Sequence, residues 1–109
     1  MPYYLLQLSY TPEAVKAMVG RPQDRAEAAS ALVENLGGKL HHLFFCFGEY
    51  DVVCLIEGTD DRMMAAGVMA VAAAGTTSRT RTTKLMTSAE AMEAMKMAAE
   101  ATGYRSPMA

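Results

Sequence analysis

The chain has 109 residues, enough for one domain with one core and too few for two. Its 51% hydrophobic content argues against a disordered chain, and a net charge of -2 with a pI near 5.6 argues against a strongly basic nucleic-acid binder. The first residues lack the charged leader and apolar segment of a signal peptide, and the longest apolar run, residues 63–74, falls short of the roughly 18 residues that span a bilayer. The expectation is a cytoplasmic protein with neither a nucleic-acid nor a membrane partner.

Residues 3–10, rich in aromatic and apolar side chains, read as a strand ending at Thr11-Pro12. Thr11 suits a helix N-cap, with Pro12 at the first helical position, where its missing N–H costs nothing. The helix opened there should turn Ala14, Val15 and Met18 inward until Pro22 breaks it. A second helix follows. Ala26, Ala29, Val33 and Leu36 form its apolar stripe, with Asp24, Arg25, Glu27 and Glu34 mostly off it. Gly37-Gly38 stops that helix, one glycine supplying the left-handed position after its end.

Residues 40–47 and 52–56 are strongly apolar, and Gly48-Glu49-Tyr50-Asp51 between them reads as a hairpin turn. If Phe47 faces Val52, Cys46 and Cys54 point to opposite faces of the sheet, and a bulge would bring them together; free thiols are the plainer expectation. Both alternating sets of this hairpin are apolar, whereas a half-solvated hairpin alternates apolar with polar. With helices enough to cover one face, the other needs a second subunit.

Thr59 or Asp60 then caps a helix over residues 62–74 that is apolar almost all round, which predicts cover on more than one side. Residues 76–86 read as a Thr-rich strand with Arg79 and Arg81 on one face. A last helix opens at Thr87-Ser88-Ala89-Glu90, which has capping-box spacing, and should turn Met92 and Met95 inward. The order β-α-β-β-α-β plus a terminal helix predicts an α+β, ferredoxin-like domain: a four-stranded antiparallel sheet with two helices on one face. It should occupy residues 1–103, with a tail at 104–109.

The chain also resembles the GYD-domain family, a branch of the dimeric α/β-barrel superfamily. The resemblance rests on the aromatic strand ending in Tyr10-Thr11, the Arg21-Pro22 break with Arg25 and Ala28 after it, and Leu36-Gly37-Gly38-Lys39. It continues through Gly48, Tyr50 and Asp51 with Glu49 inserted, the Asp60-Asp61 helix start, and the strand running from Arg79 to Thr87 into an acidic helix. Arg81 and Thr83 depart from the family pattern. The resemblance implies sheet-to-sheet dimers, often assembled further. The superfamily spans cofactor-independent monooxygenases, haem-handling enzymes, lactone isomerases and ligand-sensing domains, so fold alone does not choose a function.

Four groups of residues are candidates for chemistry. His41 and His42, adjacent on a strand, should point to opposite faces, one of them toward the helices as a proton shuttle or haem ligand, although a solvent-edge histidine is the plainer reading. Tyr10, Tyr50 and Asp51 would converge if the first strand ends near the turn, with Asp51 as a base; a plain turn role for Asp51 is the stronger reading. Arg79 and Arg81, with Tyr50, would hold an anion or else form ion pairs with Glu49, Asp51 or Glu57. The many methionines read as core and interface filler. No metal-ligand spacing, phosphate loop or nucleophile elbow is present in the sequence, so neither a metal nor another cofactor is expected. Two functions remain. One is a homo-oligomeric binding or assembly module with an apolar cavity for a small apolar or anionic ligand. The other is a small metal-independent enzyme, monooxygenase-like or isomerase-like, acting on an apolar acidic substrate.

Overall fold

The computed structural model describes residues 1–108; Ala109, the last residue of the expected tail, lies outside the described residues. The elements are β1 (Tyr3–Tyr10), α1 (Pro12–Gly20), α2 (Arg25–Asn35), β2 (Lys39–Phe45), β3 (Val52–Glu57), α3 (Asp61–Ala73), β4 (Thr77–Leu85) and α4 (Ser88–Glu100). The strands lie in the order β2-β3-β1-β4, every neighbouring pair antiparallel, which is the ferredoxin-like arrangement.

Local chemistry sets the boundaries. Thr11 Oγ1 accepts from the Ala14 N–H at 3.1 Å to open α1, and Asp24 accepts from the Ala26 N–H at 2.9 Å to restart the chain as α2 after Pro22. At the end of α2, the Gly38 N–H donates to Val33 O and the Gly37 N–H to Glu34 O, with Gly37 at φ 93°. This paired closure needs a left-handed residue, which is why a glycine stands there.

The core lies between the sheet and the helices. Val52, Cys54 and Ile56 of β3 and Tyr4 and Leu8 of β1 face Val33 of α2 and Met63 and Met64 of α3. Val52 is fully buried. Burying an aliphatic or methionine side chain of this size contributes about 1.5–3 kcal/mol, so this small set dominates stability. No helix among the described residues is long and apolar enough to cross a membrane.

The structure departs from the sequence-based expectations in four places. First, β2 ends at Phe45, which pairs with Val52, and residues 46–51 form a loop closed by the Cys46 N–H donating to Asp51 O at 2.8 Å. Cys46 is therefore exposed in the loop while Cys54 is buried opposite Leu43, and both thiols are free. Second, a bulge between Leu40 and His42 leaves His41 without a partner residue on β3. Third, α1 carries no buried residue, and Val15 is 44% exposed. The outer side of α3, with Ala65, Ala66 and Met69, is likewise open.

Fourth, α4 stands off the core. None of its residues is buried, and Met95 is 67% exposed, with Met92 similarly open. The radius of gyration is 17.9 Å over extents of 61 × 31 × 21 Å, against about 13 Å for a close-packed domain of this length. The apolar stripe of α4 finds no partner in its own chain.

Candidate functional site

The bulge in β2 decides where the histidines go. His42 pairs with Leu55, and the His41 Nε2 lies 2.9 Å from Glu57 Oε1, with its ring 5.6 Å from that of Tyr3. Leu55, Glu57 and Tyr3 all belong to the sheet face that the helices leave open, since Tyr3 pairs with Glu57 and side chains alternate along β3. Both histidines thus share that open face, and neither points toward the helices. Regular alternation failed as a guide because the extra residue resets it.

The Gly48-Glu49-Tyr50-Asp51 segment is held to both neighbouring strands. The Asp51 N–H donates to Leu8 O at 2.9 Å, and the Asp51 carboxylate accepts from the Tyr10 N–H at 2.9 Å. Gly48 has φ 109°, a left-handed conformation that disfavours other residues. Tyr10 and Asp51 do converge, but through the Tyr10 backbone rather than its hydroxyl. The Arg79 guanidinium lies 4.6 Å over the Tyr50 ring, donates to the Glu49 carbonyl and stands 3.7 Å from the Glu49 carboxylate. Arg79 therefore clamps the loop. Arg81 lies on the same face opposite Gln7 and is exposed.

On the other side of the sheet is a cavity of about 310 Å³. Leu6, Leu8 and Leu43 form its floor, Leu32 and Leu36 of α2 one wall, and Met64, Val68 and Val71 of α3 the other. Its polar members are few. Cys54 contributes a thiol that burial pushes up to about 11, so it stays neutral. Tyr10 and Arg25 also line it. Burial raises the Tyr10 hydroxyl above its ordinary value, against the Arg25 guanidinium beside it, which favours the phenolate. Sequence reasoning set Arg25 off the apolar stripe; the signal was its spacing, four residues before Ala29 and eight before Val33.

A second cleft, of about 360 Å³, runs between α3 and β4. There the Tyr4 hydroxyl donates to Asp61 Oδ1 at 2.7 Å, and Lys84 Nζ lies 3.0 Å from the same oxygen. Those two partners hold the Asp61 carboxyl below its ordinary range. No group of three or more His, Cys, Asp or Glu side chains among the described residues is placed to hold a metal ion.

A family model described as the GYD domain matches residues 4–95. The chain belongs to the GYD domain family. No curated protein matches this GYD domain. Among solved structures it is similar to the crystal structure of TTHA0845 from Thermus thermophilus, with 16% identity over 80% of this chain and 95% of that one, at a TM-score of 0.47. Within the GYD domain, the segment containing Gly48, Tyr50 and Asp51 joins β2 to β3 and reaches β1 through Asp51 and β4 through Arg79.

Proposed function

We propose that this GYD domain is a cytoplasmic small-molecule-binding module that works as a homo-oligomer and holds an apolar ligand between the sheet and helices α2 and α3. The cavity is the observation that carries the reading. Its volume of about 310 Å³ is at the lower end of the range for ligand sites, about 300–1,000 Å³, and its walls are almost wholly hydrocarbon. Water needs two to four polar partners to be held in such a space, so an apolar molecule is the better occupant.

The open sheet face supports the oligomer. Leu5, Val53 and Leu55 are only half-buried there, and Phe44 is 61% exposed. Apolar area left wet costs about 25 cal/mol per Å², which a second subunit on this face would recover. Native mass spectrometry of the protein, purified gently from its own host, tests both parts. The expected result is an oligomer carrying a small molecule that is lost when subunits are separated; a bare monomer would refute the reading.

One observation favours a second reading, the metal-independent enzyme. The His41–Glu57 pair at 2.9 Å beside Tyr3 would supply a general base, but on the open face and not in the cavity. Turnover that disappears in His41→Gln, with cavity binding unchanged, would establish it.

A further inference from the structure

Arg25 is the first residue of α2, half-buried, and part of the cavity wall. Its Nη1 donates to Gln23 Oε1 at 2.8 Å, and no ion pair among the described residues includes it. Neither the neighbouring Asp24 nor the Asp51 carboxylate forms an ion pair with it. Asp24 accepts from the Ala26 N–H, and Asp51, beside Tyr10, accepts from the Tyr10 N–H. A guanidinium has five N–H donors in a planar fork, so most of its hydrogen-bonding capacity remains for another acceptor. A half-buried cation against hydrocarbon, without a counter-charge, is unfavourable unless an anion joins it.

We infer that the cavity recognises an apolar monocarboxylate, with Arg25 binding the carboxylate and the Leu, Val and Met walls enclosing the hydrocarbon. The inference rests on the cavity being the ligand site. Carboxylate geometry matches the guanidinium fork, which donates two parallel hydrogen bonds to the two oxygens of one planar anion. Tyr10 adds a second donor to the same end, its hydroxyl kept protonated by burial. The remaining lining offers no other charged group to bind an anion, and the Cys54 thiol is neutral. A second anionic group on the ligand would meet hydrocarbon, so the class is a monoanion.

Isothermal titration calorimetry on the full chain in its native assembly tests the inference with octanoate and its neutral counterpart octan-1-ol. Octanoate should bind at least about tenfold more tightly than octan-1-ol, and Arg25→Gln should abolish that preference by weakening octanoate far more than octan-1-ol; a preference that survives Arg25→Gln would overturn the role of Arg25. Arg25→Lys, which keeps the charge and loses the planar fork, should retain part of the preference and guards against a folding defect in the first variant. Equal binding of acid and alcohol to the unaltered protein would overturn the carboxylate inference and leave the cavity reading standing. Failure of both compounds to bind would overturn the two together.

Discussion

Tyr4 links the core to a surface carboxylate, and Tyr4→Phe should reveal that link through alkali. The ring is 2% exposed, its hydroxyl donates to Asp61 at 2.7 Å, and burial, then that hydrogen bond, push it from an ordinary 10.0 up to about 12. In the unfolded chain the phenol ionises near its ordinary value, while the folded chain keeps its proton about two pH units longer. Between those values the folded state binds more protons, so its stability is fully present below pH 10 and falls as the pH rises toward 12. The whole shift corresponds to about 2.7 kcal/mol, and because the hydroxyl reaches toward exposed Asp61, solvent screening reduces it to about 1–2 kcal/mol. At neutral pH the variant loses a hydrogen bond worth about 1 kcal/mol. Urea unfolding of both proteins across this range should therefore show the wild type more stable at pH 7, the difference closing near about pH 11 and reversing above it. Other tyrosines and lysines cancel in the comparison. A difference that stays constant from neutral pH to pH 12 would refute the reasoning.

The adjacent glycines after α2 should respond unequally to alanine. Gly37→Ala meets only ordinary contacts and costs about 1–2 kcal/mol for its left-handed backbone, whereas a Cβ at Gly38 would lie 2.5 Å from the Glu57 backbone oxygen and 2.8 Å from Met63 Cε. Gly38→Ala should cost about 3 kcal/mol or more, and thermal melting should place it below Gly37→Ala. Asp51→Ala leaves the Tyr10 N–H without its acceptor and should cost about 1–3 kcal/mol in urea unfolding, with Asp51→Asn, which keeps an oxygen in place, costing less. Leu55→Asp sits on the open face, so sedimentation velocity should show weakened assembly while circular dichroism stays native; unaltered assembly would move the interface elsewhere.

Much of this was legible in the chain. The bounds of β1, the Thr87–Glu90 capping box and the break at Pro22 follow from local chemistry that tertiary context does not override. The apolar alternation of β3 was legible too, and the set that faces the helices, Val52, Cys54 and Ile56, is the buried one. The end of β2 was less legible. Phe-Cys-Phe reads as strand from its composition, yet the backbone leaves the ladder after Phe45 so that Asp51 can reach β1. The bulge at His41 carries no signature in residue type. Arg25 escaped notice because charge suggests solvent, when its spacing already placed it among apolar neighbours. For α4, periodicity marked a face that wants burial without identifying what it would meet.

That last helix should open as a unit of its own, apart from the core. With no side chain buried, α4 is held by its own backbone and by the capping box, in which the Thr87 N–H keeps the Glu90 carboxyl below its ordinary range. A helix of 13 residues is near the lower limit of what persists alone in water, roughly 12–15 residues. Its amides should therefore exchange with solvent by local opening, while those of β1 and β3 wait for the core to unfold. Slow exchange along α4 would then be a direct report that another surface has closed over Met92 and Met95, readable residue by residue without knowing that surface in advance.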